Sequence, residues 1–207
     1  MLPIRKVIIQ FGFAEGNELV KATVNAMISH NIISSSMKRQ YEYAIEMMIE
    51  RFITLASMTL ISICLGKTVH AIFFLIFFML LRGHTGGYHA ENFCACYIES
   101  MIVFVLLMIF GDRILSYQVL NYTALASSFV LIMIVGTVNH PNMNYNDAEL
   151  RESRKAARYI LILEMFVILS LKAMGASELC IRFMCWGIIL CAISIVIAKI
   201  TKQEVVR

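Results

Sequence analysis

The stretch AIFFLIFFMLLRGHTGGYHA, Ala71–Ala90, runs to Leu81 without a polar side chain and then turns abruptly to arginine, histidine and paired glycines. A helix needs about 20 apolar residues to cross the hydrocarbon core of a bilayer. Runs of this kind recur along the chain, and six spans are expected, near 49–66, 68–82, 93–110, 118–138, 159–174 and 180–198. Composition agrees: 59% of the 207 residues are hydrophobic and 15% charged, with a mean hydropathy of +0.75. Soluble domains hold about 45–50% apolar and about 25% charged residues. The expected fold is therefore all-α, a polytopic integral membrane protein.

Two prolines, ten glycines and no internal repeat leave little room for a linker, so one membrane-embedded domain over residues 1–207 is expected. Residues 1–48 form its N-terminal interfacial segment and 49–198 its bundle. The opening MLPIRKVIIQFGFAEGNE has an apolar stretch too short for a secretory signal and no small-residue cleavage site after it. Six cysteines form no C-x2-C pair and lie mostly in apolar runs, which points to packing rather than to disulfides or zinc. A net charge of +4 from scattered basic residues gives no reason to expect nucleic acid as a partner.

Orientation follows from lysine and arginine, which collect in cytoplasmic loops. With the N-terminus inside and six spans, 14 of the 18 basic residues fall on the inner side, leaving Lys67, Arg113, Lys172 and Arg182 outside. Both termini and the segment GGYHAENFCACY, Gly86–Tyr97, are thus expected at the cytoplasmic face of the membrane. Ahead of the first span, Leu19, Val20, Val24, Met27, Ile28 and Ile32 recur at helical spacing opposite Glu18, Lys21, Asn25 and Ser29. That pattern predicts an amphipathic helix lying either on lipid or on the loops of its own bundle.

Within GGYHAENFCACY a helix would carry Cys96 two turns from His89 and within roughly 20° of the same face, whereas Cys94 falls roughly 140° away. Two turns rise about 10.5 Å, too far for contact in one straight helix. The glycines Gly86 and Gly87 therefore suggest a loop, with His89 on the entry turn ahead of the helix that carries Cys96. A neutral imidazole can accept a thiol proton and leave a nucleophilic thiolate, the chemistry of a cysteine protease. Glu99 and Ser100 share the Cys96 face, and Glu91 and Asn92 are near in sequence; spacing does not choose among them as a group to orient the histidine. A lone histidine at a membrane surface is also a common capping residue. A metal site from His84, His89, Cys94 and Cys96 is a rival, but H-x4-H and C-x-C match no common closed zinc site. No metal or other cofactor is expected.

Arg82, Gly86, Gly87, His89, Ala90, Cys96, Glu99 and Ser100 spell R-x3-GG-x-HA-x5-C-x2-ES. This motif, beside the third of several spans in a small protein, resembles the accessory gene regulator B family of bacterial membrane endopeptidases. The resemblance extends from about residue 16 to the C-terminus and leaves residues 1–15 as an extension. It implies a cysteine endopeptidase of quorum sensing that cleaves a short precursor peptide of the accessory gene regulator D type, with an acidic C-terminal tail. The signal segment is held as a thioester on the enzyme and released by cyclisation to a thiolactone or lactone. Carried over residue by residue, Cys96 is the nucleophile, His89 the general base and later acid, and Gly86 and Gly87 the family's glycines, which would let a peptide backbone approach.

The segment His140–Tyr159 carries Arg151, Arg154, Lys155 and Arg158 at helical spacing. These cations fix topology and meet anionic lipid, or they hold the acidic tail of the precursor. Glu164 lies inside the fifth span, where an ionisable group is costly; it is expected either to pair with Arg82 or to reach the surface. Lys172 is expected to snorkel. Membrane lipid is one partner and a second copy of the chain another. Two rivals come from other classes. A transporter or peptide exporter would tolerate Cys96→Ala, and a scaffold or chaperone subunit would tolerate loss of both His89 and Cys96.

Overall fold

The computed structural model describes residues 18–88, 90, 93–114, 116–139 and 145–203. The N-terminal extension expected over residues 1–15 lies outside them. All regular structure among the described residues is helical. Residues 18–29 are helical (α1), and a single 3-10 turn, Ser35–Met37, leads into α2 (Lys38–Cys64). Then follow α3 (Thr68–Thr85), α4 (Phe93–Ile114), α5 (Gln118–Val135), α6 (Asp147–Ala173) and α7 (Glu178–Ile200).

Five helices are long and apolar enough to cross a membrane, over Ala44–Cys64, Thr68–Thr85, Cys94–Ile114, Gln118–Val135 and Glu178–Ile200. The all-α, multi-pass architecture expected from the sequence is the one observed. The sixth expected span, 159–174, falls on the second half of α6. There Glu164 and Lys172 interrupt the apolar run and the first half of the helix is charged, so no stretch of α6 long enough to cross a membrane is as apolar and free of charge as the other five. At 27 residues α6 is about 40 Å long. Its start is encoded locally. The Asn146 side chain accepts from the backbone N–H groups of Ala148 and Glu149, both at 2.9 Å, and Glu149 returns a bond to the Asn146 N–H at 2.8 Å, a capping box.

The chain divides into two compact units. The smaller takes described residues up to Ser57 and from Phe93 to Ser100. In it α1 buries Val20 and Val24 but leaves Leu19 71% exposed, and Ile32, past the end of the helix, is 66% exposed, so only part of the predicted amphipathic face is covered by protein. The Tyr97 hydroxyl meets the Ser57 Oγ at 2.9 Å, tying the start of α4 to α2.

The larger unit holds the rest, with α3 and α7 packed along each other at its centre. Ile181, Cys185, Ile188, Cys191 and Ile195 form a buried stripe on α7, which confirms packing as the role of two of the six cysteines. The closest approach is at Gly187, where a Cβ would stand 2.8 Å from the Phe77 Cβ and 2.9 Å from the Phe78 backbone nitrogen. Backbone cannot yield as a side-chain tip can. Gly187→Ala is expected to destabilise the bundle by about 1–3 kcal/mol, read as a lower thermal midpoint in detergent; an unchanged midpoint would contradict this packing.

At the end of the larger unit where α4 stops and α7 begins, polar groups are mutually satisfied. Lys67 donates to the Met108 carbonyl, Arg182 pairs with Asp112 at 2.5 Å, and the Trp186 indole N–H donates to the Gly111 carbonyl at 3.1 Å. Lys172, expected to snorkel, sits 4.1 Å from the centre of the Tyr122 ring, a cation–π contact. Three of the four cations assigned to the outer side thus have partners within the protein.

Candidate active site

α3 runs past its predicted end at 82 and closes at Gly86, whose N–H bonds back to the Arg82 carbonyl at 3.3 Å with φ +62°. The side chain of Arg82, on the last turn, folds over the loop that follows. One guanidinium nitrogen donates to the Gly86 carbonyl and another to the Tyr88 carbonyl, the latter at 2.6 Å. These are charge-assisted bonds, each worth about 1.5–3 kcal/mol. Gly87 makes the fold possible: its φ is +127°, and a Cβ there would collide with the Arg82 guanidinium and stand 2.7 Å from the Ser194 Oγ. The space beside Gly87 is therefore filled by the chain's own arginine and serine.

The loop is stitched to three other elements. The Tyr88 N–H donates to both the backbone carbonyl and the Oγ of Ser194 on α7, each at 3.1 Å. The Val138 N–H donates to the Thr85 carbonyl at 2.9 Å. The His84 carbonyl accepts hydroxyls from Thr137 and from Ser153 on α6, both at 2.9 Å. Asn139 then closes the α5–α6 connection onto Tyr145, giving and taking a bond at 3.1 and 3.0 Å. Thr85, Thr137 and Asn139 are all buried. The four residues Thr137, Asn139, Ser153 and Ser194 were not singled out from the sequence. The available signal was an isolated hydroxyl or amide in an otherwise apolar or loop segment, which needs a partner when buried.

His89, with Glu91 and Asn92, lies outside the described residues, as do residues 140–144 of the basic segment. What is described is its anchor, Tyr88. α4 starts at Phe93, and the reading that puts His89 on an entry turn falls on a residue outside those described. Cys96 is the fourth residue of α4 and partly exposed. Cys94 is equally accessible in class. Glu99 and Ser100 follow Cys96 at helical i+3 and i+4 spacing, Glu99 exposed and Ser100 partly so. Among the described residues no three His, Cys, Asp or Glu side chains assemble as a metal-ligand set.

The four cations of α6 have different surroundings. Arg158 donates to the Met133 carbonyl at 3.0 Å and so closes the last turn of α5. Arg154 lies against Gly136, where a Cβ would stand 2.9 Å from its Cγ. Arg151 and Lys155 are exposed, and Lys155 pairs with Glu152 at 3.0 Å. Glu164 is 3% exposed, which excludes the surface-reaching alternative, and neither carboxyl oxygen has a hydrogen-bond partner among the described residues. It lies on the buried stripe Ala157, Leu161, Glu164 and Ile168 of α6, with no direct bond to Arg82.

The fold defines a class: a multi-pass α-helical membrane protein. The accessory gene regulator B family model matches residues 20–195. The chain belongs to the accessory gene regulator B family, whose members take part in the processing of autoinducer peptides. No curated protein and no solved structure matches it.

Proposed function

We propose that this protein is a membrane cysteine endopeptidase that cleaves a quorum-sensing precursor peptide and promotes its cyclisation. The observation that carries the reading is the ordered motif from Arg82 to Ser100 inside the family match. The loop and the helix start give it physical sense. Arg82 and Ser194 hold the residue next to His89, and Cys96 occupies a helix first turn.

In this mechanism the Cys96 sulfur attacks the scissile carbonyl while His89 takes the thiol proton. The tetrahedral intermediate collapses, the C–N bond breaks, and His89 returns the proton to the leaving amine of the acidic tail. The signal segment remains on Cys96 as a thioester. A cysteine or serine within the precursor then attacks that thioester, closing a thiolactone or lactone and restoring the Cys96 thiol. Exchange of one thioester for another conserves the activated bond, provided water is kept out, and a site at an apolar membrane boundary favours that outcome. The acidic tail meets the exposed Arg151 and Lys155, with Arg154, Arg158 and Glu164 shaping the ground behind them. The site faces the cytoplasm of a bacterial cell, where the precursor is made, and with α6 as a sixth crossing both chain termini face it as well.

The test is direct. Purified protein in lipid nanodiscs, mixed with a synthetic precursor peptide of the accessory gene regulator D type, is expected to yield a covalent adduct on Cys96 that hydroxylamine releases, together with cyclic product. Linear product alone, with no hydroxylamine-labile adduct, would overturn the acyl-enzyme route.

A further inference from the structure

We propose that Glu164 is a proton-binding site, and that α6 packs into the bundle with a proton on this carboxyl. The proposal concerns the larger unit alone and is independent of the endopeptidase reading. Glu164 lies on α6 between Leu161 and Ile168, which share one core cluster with Leu81, Ile132, Ile188 and Ile195. It is closed off almost as fully as they are: 3% exposed, against 0% for Leu161 and 1% for Ile168. Both carboxyl oxygens are buried, and neither has a hydrogen-bond partner among the described residues. An apolar interior accepts a carboxylic acid far more readily than a carboxylate, because the ion loses its hydration and gains no bond in return.

A counter-charge is the other way to bury a carboxylate, and the described surroundings do not provide one. α3, α5 and α7 all pack against α6. α3 contributes Arg82, whose guanidinium is committed to the Gly86 and Tyr88 carbonyls and makes no bond to Glu164. α7 contributes Cys191, a buried thiol within electrostatic reach of both Glu164 and Arg82, which donates to the Phe78 carbonyl at 3.5 Å. α5 has one titratable side chain, Tyr122, and its ring is taken by Lys172 of α6. On α6 itself Arg158 donates to the Met133 carbonyl. The helix is continuous from Asp147 to Ala173, so its buried half cannot leave the bundle without moving its charged half. Ser153 and Arg158, which bond the His84 and Met133 carbonyls, depend on that docking. The proton on Glu164 thereby governs where the basic turns of α6 stand.

The experiment uses the full chain in nanodiscs and N,N′-dicyclohexylcarbodiimide, an apolar reagent that adds to a protonated carboxyl and leaves an N-acylurea with no atom lost. Trypsin isolates Glu164 as the one carboxyl side chain of the peptide 159–172, and mass spectrometry follows its modification. The reaction is expected to be about tenfold slower at pH 9 than at pH 6, because the proton it needs is lost. Docking is read separately, as the thermal midpoint in detergent. A carboxyl that holds its proton more tightly when docked than when unfolded gives stability that is complete below the ordinary carboxyl range. That stability is lost as the pH rises toward the point where the docked acid ionises. Between pH 5 and pH 8 the wild-type midpoint is therefore expected to fall by roughly 5 °C or more relative to Glu164→Gln, which has nearly the same shape and no proton to lose. Glu164→Leu replaces the glutamine variant if that one fails to insert.

The proposal fails if Glu164 is modified as fast at pH 9 as at pH 6. It fails also if the midpoints of wild type and variant move in parallel with pH. Where the reagent does not reach the carboxyl, the midpoints alone decide. Neither measurement reads precursor processing, so failure here leaves the endopeptidase reading standing.

Discussion

Cys96→Ala is expected to abolish precursor processing, a loss on the order of 10⁴-fold or more, as for removal of other nucleophiles that act through a covalent intermediate. Cys94→Ala, two residues away on the same first turn of α4, is expected to process within about twofold of wild type, the range of a substitution away from the chemistry. The two cysteines make an informative pair because both are partly exposed thiols. Solvent access therefore does not choose between them. On a helix they point about 160° apart, so only one can address a given substrate carbonyl. Coexpression with the precursor and mass spectrometry of the medium reads the result. Processing that survives Cys96→Ala would favour an exporter, and processing lost only in Cys94→Ala would move the nucleophile.

Gly87→Ala is the second large effect. The methyl group would enter the volume of the Arg82 guanidinium and stand 2.7 Å from the Ser194 Oγ, at a φ of +127° that side-chain-bearing residues rarely adopt. The backbone alone costs about 1–3 kcal/mol. Arg82 must withdraw, and its bonds to the Gly86 and Tyr88 carbonyls go with it. Displacement of a catalytic group by about 1 Å can cost on the order of 10²-fold, and a fall of that size in kcat is expected. The core stripe of α7 does not touch Gly87, so the variant is expected to insert and to keep most of its thermal stability. Gly83→Ala is the control: the same exchange four residues earlier, inside α3, places a Cβ with nothing within 4 Å. Equal activity in Gly87→Ala and Gly83→Ala would show that the arginine-over-glycine arrangement has no functional weight.

The spans were legible because each is a long apolar run, and hydropathy reads such runs irrespective of tertiary context. α6 was legible only in part. Its capping box and charged first half define a helix start, but Glu164 divides the apolar remainder, and nothing local says that this carboxyl is buried at 3% exposure. The motif residues were readable as types and spacing. What spacing could not provide was the bonding that shapes the loop. Ser194, Thr137 and Ser153 act on backbone groups 53 to 106 residues distant, and a lone hydroxyl has no periodicity to announce it. The basic face of α6 shows the converse. Helical spacing correctly gathers Arg151, Arg154, Lys155 and Arg158, but tertiary neighbours divert Arg158 to the end of α5 and press Arg154 against Gly136.

The bond between Tyr88 and Ser194 also sets an order of events during synthesis. A ribosome that has just delivered the loop still has 106 residues to make before the partner of the Tyr88 N–H exists. Through that interval the arginine can grip its own loop, since Arg82, Gly86 and Tyr88 leave together, but the second anchor is missing until α7 has been translated and inserted. A chain halted before its last helix holds the loop through Arg82 alone, so the loop acquires its full set of bonds only with completed insertion.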